Sequence, residues 1–154
     1  MLTLENNMNT INDIITLITP TGEEKNEIII SYDDEENVDE IKLNYNDKDY
    51  CTHKIDFLWV EGYADLQKQL PSDVKLKCCL TCKHGNLCPV GNSPNQIFCT
   101  KDVLITSKMD AFYYTAEDSN SQNRIRTTNF VCDSFEEQND DYYTYNDYLY
   151  HLEK

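Results

Sequence analysis

Apolar and polar residues alternate through the first third of the chain. Ile14 to Thr19, IITLIT, is dominated by β-branched residues and stops at PTG, and Glu27 to Tyr32, EIIISY, follows at hairpin distance. The two runs predict antiparallel strands. Ile41, Leu43 and Tyr45 alternate with Lys42 and Asn44, as a half-buried third strand requires. In HKIDFLW, residues Ile55, Phe57 and Trp59 share one face, which predicts a fourth strand. The period then changes. Tyr63, Leu66 and Leu70 stand at helical spacing in EGYADLQKQLP, and Pro71 ends the pattern because it lacks an amide hydrogen to donate. This helix is expected to pack on the sheet.

In the second half, VKLKCCLTC and QIFC read as strands, as do Val103 to Thr106 and IRTTNFVC. A brief helix is expected after Thr106, capped by Thr106 or Ser107. SNSQNR is a polar loop. In the tail, Tyr142, Tyr145, Leu149 and Leu152 follow helical spacing, Tyr148 widens the stripe, and Asp140 or Asp141 is placed to cap the start. No period of 20 to 50 residues marks a repeat array. Short strands with two or three short helices, without strict βαβ alternation, predict an α+β domain built mainly on antiparallel sheet. Sandwich, barrel and open sheet all fit this pattern. The 154 residues read as one domain: a β meander over 11–60, a helix and cysteine-rich region over 61–136, and an acidic, Tyr-rich tail over 137–154.

Charge narrows the partners. With 28 acidic against 13 basic residues the formal charge is -15. Such a chain repels nucleic-acid phosphates and anionic membranes, so neither is an expected direct partner. Solubility alone accounts for the charge; the sharper reading is recognition of a basic protein. The start, MLTLENNMNTINDIITLITP, has no basic segment followed by a continuous apolar one, which predicts a soluble cytoplasmic protein.

Seven cysteines is an odd count, and cytoplasmic thiols usually stay reduced, which leaves metal binding, catalysis or core packing. Strand alternation in VKLKCCLTC groups Val74, Leu76, Cys78 and Leu80 on one face, so Cys78 reads as a small core residue. Cys79 faces the other way where the strand ends. Cys79-Leu-Thr-Cys82 is then a C-x2-C on a tight turn, half of a tetrahedral zinc site. Downstream candidates for the other half are Cys88, Cys99 and Cys132, with His84 as an outsider. The preferred set is Cys79, Cys82, Cys99 and Cys132, because Cys99 and Cys132 end predicted strands, whereas Cys88 lies only a short loop beyond Cys82. Four thiolates leave no position open for water, so such a zinc is structural. The alternative is a thiol redox protein or sensor using Cys79 and Cys82, but no long helix follows to lower a thiol pKa.

Cys79-x-x-Cys82, the turn Pro89-Val90-Gly91-Asn92, Cys99, and Cys132-Asp-Ser-Phe135-Glu136 together resemble the signature of an uncharacterised family of small bacterial cytosolic proteins. The resemblance covers Leu70 to Glu136. It implies that Cys88, a position often filled by Ser in that family, is dispensable, and it carries no activity. His53, His84 and His151 form no metalloprotease motif and read as surface residues, and the phosphate-binding glycine loops are absent. The run Asp33 to Glu40 lacks the glycine of a calcium-binding loop and reads as a solvated connection. The tail either docks back on the domain or, through its tyrosines, mediates self-association or partner binding. The expectation is an acidic, non-enzymatic binding module with a metal-stapled loop.

Overall fold

The computed structural model describes residues 9–33, 38–52, 59–93 and 95–153. Five strands form one open antiparallel sheet in the order β4-β3-β2-β1-β5: β1 (Asn9–Thr19), β2 (Gly22–Tyr32), β3 (Val38–Tyr45), β4 (Lys48–Cys51) and β5 (Lys75–Lys77). A second antiparallel sheet has the order β6-β7-β8, from β6 (Gly85–Asn86), β7 (Ile97–Cys99) and β8 (Ile125–Arg126). The helices are α1 (Trp59–Gln69), α2 (Lys108–Phe112), which runs on into a π-helical turn at Tyr113–Glu117, and α3 (Tyr148–Glu153). The fold is α+β and mainly antiparallel.

Register explains the core. Pairing Ile11 with Ile30, Leu17 with Leu76, Ile28 with Leu43 and Leu43 with Tyr50 stacks the apolar residues of all five strands on one face. A one-residue slip would turn that whole set toward solvent. Tyr63 and Leu66 of α1 are completely buried in the same core, which Tyr148 of α3 joins. Gln67 fastens α1 to β5, its side chain donating to Val74 O at 2.7 Å and accepting from Leu76 N at 2.8 Å. The β3–β4 hairpin turns through Asn46 and Asp47 at φ 54° and 62°, the left-handed pair that a tight hairpin requires.

Several expectations need correction. Residues 103–106 form no strand: Thr106 gives its backbone N–H and its hydroxyl to the Asp110 carboxylate, both at 2.9 Å, and so begins the α2 cap instead of a ladder. Ser107 completes that cap by accepting from Asp110 N at 3.2 Å. In IRTTNFVC only Ile125 and Arg126 pair, because Phe130 N turns back to Thr127 O at 3.1 Å. The tail helix begins at Tyr148, with Asn146 accepting from Tyr148 N at 3.0 Å, and neither Asp140 nor Asp141 caps it. The strand expected over HKIDFLW falls almost wholly outside the described residues; Trp59, its last residue, opens α1. No helix among the described residues is long and apolar enough to cross a membrane.

The segment after β8 binds the turn that follows β5. Cys79 N donates to Phe130 O at 2.7 Å and Leu80 N to Thr128 O at 3.1 Å. Asn129 accepts from the buried Tyr63 hydroxyl and donates to Asp13 at 3.1 Å, so β1, α1 and the small sheet share one network.

Candidate metal centre

The cysteine turn owes its shape to Thr81. Strand β5 stops at Lys77, and Cys79–Thr81 wind into a single 3-10 turn. The Thr81 hydroxyl accepts from Cys78 N at 3.3 Å and donates to Leu76 O at 3.1 Å, satisfying groups that the ended strand leaves unpaired. Cys82 N then reaches Cys79 O at 3.3 Å and Gly85 N reaches Cys82 O at 2.9 Å. This tight double turn presents Cys79 and Cys82 side by side and turns Cys78 inward, fully buried in the core.

Cys99 arrives from the neighbouring strand, since β7 pairs with β6 through Gly85 opposite Cys99. Cys132 arrives from a later turn, closed by Phe135 N to Cys132 O at 3.2 Å and anchored beside the first turn by Lys83 N to Glu136 O at 2.9 Å. All four cysteines line one pocket, together with His84, Gly85, Lys101 and Ser134. Its volume is about 10 Å³, room for one water or one ion.

The sulfurs feel one another. Burial pushes the Cys79 thiol far above its ordinary range, and Cys78, Cys99, Cys82 and Cys132 push it further. Cys82 is also raised by burial, but there the backbone N–H groups of Glu136 and His84 oppose the rise, the latter 3.4 Å from Sγ. Cys78 is pushed up to about 11, chiefly by desolvation. Such a pocket disfavours thiolate without a cation and reverses that preference when a cation binds. No group of three or more His, Cys, Asp or Glu among the described residues is arranged to grip an ion as it stands.

Among the residues singled out from sequence, Cys79, Cys82, Cys99 and Cys132 come together, and Cys88 stays apart on its own turn, its N–H on Asn92 Oδ1 at 2.6 Å. His84 departs from its expected surface position. Its side chain is only 15% exposed, its Nε2 lies 3.0 Å from Glu136 Oε2, and its ring packs edge-on against Tyr142 at 5.8 Å. Gly85 was no candidate, yet a Cβ there would sit 2.0 Å from Cys79 O. Only a residue without a side chain lets β6 pass this close to the turn.

The tail docks on the same module. Thr144 Oγ1 donates to Lys83 O at 2.6 Å, Tyr145 N to Asn86 Oδ1 at 2.6 Å, and Asn146 Nδ2 to Leu80 O at 2.7 Å and Gly85 O at 3.1 Å. No protein-family model matches the chain, and no curated protein is significantly similar to it.

Proposed function

We propose that this protein is a non-enzymatic acidic binding module whose cysteine-rich half is stapled by a structural zinc held by Cys79, Cys82, Cys99 and Cys132. The observation that carries the reading is the convergence of four cysteines from three separated stretches on one ion-sized pocket. Closing the cage means drawing the sulfurs to zinc at about 2.3 Å each. That requires the four side chains to move, with the turns that carry them hydrogen-bonded to one another by Cys79 N to Phe130 O and Lys83 N to Glu136 O. Metal-binding free energy then becomes folding free energy for a small sheet with two-residue and three-residue strands.

Elemental analysis of protein purified without chelators is expected to give one zinc per chain, and Cys82→Ser or chelation is expected to lower the melting temperature sharply. Metal-free protein that melts at the same temperature with and without added zinc would end this reading. The charge of -15 supports a basic protein as partner, with association that weakens as salt rises. Affinity capture at low and high salt tests it, and the absence of any salt-sensitive basic protein in the eluate would count against it. The redox alternative has less support, because burial drives the Cys79 thiol away from thiolate and the turn leads into a strand of two residues, with no helix N-terminus to stabilise the anion.

A further inference from the structure

His84 carries an unanswered bond. Its Nδ1 is buried and has no hydrogen-bond partner, and the residue lines the cysteine pocket. An orphaned buried nitrogen is costly, so it points to a missing partner. The other ring nitrogen is committed. Nε2 faces the Glu136 carboxylate at 3.0 Å, and the second carboxylate oxygen accepts from Lys83 Nζ at 3.1 Å. A carboxylate only accepts, so Nε2 is the donor in that contact, and Nδ1 is the ring nitrogen left without a partner. A far nitrogen that donates to a carboxylate beside a near nitrogen without a partner is the arrangement common to metal-ligating histidines.

Five donors therefore surround a pocket whose ion takes four. They are not held equally. Gly85 is the backbone hub for three of the cysteines: a Cβ there would meet Cys79 O, its N–H donates to Cys82 O, and it pairs with Cys99. Cys132 belongs to a separate turn that reaches the pocket from residues 131–135, outside any strand. His84, one residue before the hub, shares the rigid frame. We propose that His84 Nδ1 is a reserve ligand for the zinc, exchanging with Cys132 for the fourth position, so that Cys132 can leave while the ion stays. This rests on the metal reading above.

The test is zinc affinity, measured by competition with a chelating dye, across a set of substitutions in the full chain. Cys132→Ser is expected to bind one zinc within about tenfold of the parent, and Cys99→Ser to lose far more. Adding His84→Ala to Cys132→Ser is expected to lower affinity by about 100-fold or more below that of Cys132→Ser. Glu136→Gln, added to Cys132→Ser, is expected to cost about 10-fold to 100-fold. In Cys132→Ser the imidazole nitrogen shifts of His84 should report a metal-bound Nδ1, a readout that needs no second substitution. The proposal falls if Cys132→Ser binds as poorly as Cys99→Ser, or if removing His84 from it changes nothing; the four-cysteine site survives either result. A parent that binds no zinc overturns both.

Discussion

Replacing Gly85 by alanine tests how tightly the cysteine module is built. The new methyl would lie 2.0 Å from Cys79 O, 3.1 Å from Cys79 C and 3.2 Å from Ile97 Cδ1, where ordinary contact begins at 3.4 Å. The nearest obstacle is backbone, so the turn and β6 must separate by more than 1 Å along that line. Three hydrogen-bonded links cross it: Gly85 N to Cys82 O at 2.9 Å, Asn146 Nδ2 to Gly85 O at 3.1 Å, and the pairing of Gly85 with Cys99. At about 1 kcal/mol for each link, with a further ~1–3 kcal/mol for overpacking, the loss is about 4–6 kcal/mol. Against a typical total of roughly 5–15 kcal/mol this brings the protein close to unfolding. Urea denaturation monitored by circular dichroism gives the change, and zinc affinity should fall in the same variant because Cys79 and Cys99 move apart. Gly22→Ala is the control. Nothing lies within 4 Å of its Cβ, so its cost comes from φ at +126° alone, about 1–3 kcal/mol, with zinc affinity unchanged. A Gly85→Ala loss below about 1 kcal/mol would refute the close approach.

Other outcomes follow from the same contacts. Arg124 is 5% exposed and holds Asp102 with two nitrogens, Asp118 at 2.8 Å and Tyr114 O at 2.8 Å, so Arg124→Met should cost about 3 kcal/mol in chemical denaturation by stranding Asp118 and the carbonyl. The Arg124 hydrogen bond holds the Asp102 carboxyl below its ordinary value of 3.8, so this contribution is present above that pH and is lost as the pH falls below it. Melting curves between pH 5 and 3 should therefore fall more steeply for the parent than for Arg124→Met. At the alkaline end, desolvation raises the Tyr63 hydroxyl well above 10.0, so the unfolded chain releases that proton first and stability declines as pH rises past 10.0; Tyr63→Phe should flatten the decline in a pH series of melting temperatures. Truncation after Gln138 removes the bonds of Thr144, Tyr145 and Asn146 and the buried Tyr148, so it should lower the melting temperature at any protein concentration. An unchanged melting temperature with lost self-association would assign the tail to an interface instead.

The large sheet was legible because each signal there is local. Alternation over Ile14 to Thr19, Glu27 to Tyr32 and Ile41 to Tyr45 marks strands whose neighbours in sequence are also their neighbours in space. The strand β4 escaped notice because Tyr50 is its one buried residue, and a four-residue strand offers no alternation to read. The failures in the second half share a cause. Leu104 at 69% exposed and Ile105 at 1% alternate as a strand would, yet no chain lies alongside to pair with them, and Asp110 takes the Thr106 amide. Periodicity reports which side of a segment is buried; it does not report whether a ladder partner exists.

The candidate centre divides along the same line. Strand parity separates Cys78 from Cys79, and the C-x2-C spacing announces a tight turn, so half the pocket could be read from nine consecutive residues. Cys99 and Cys132 were reachable by eliminating Cys88. The roles of His84, Gly85 and the tail were not, because each depends on a meeting across the chain: His84 with Glu136, Gly85 with Cys99, Asn146 with Leu80. Those meetings have a physical logic. A sheet with strands of two or three residues buries too little to hold itself, so side-chain amides brace it, and Asn146 alone closes the Gly85 carbonyl of β6 and the Leu80 carbonyl of the adjoining turn. The tail braces the cysteine turn without any ion, and that rigidity would lower the ordering cost of the zinc proposed above.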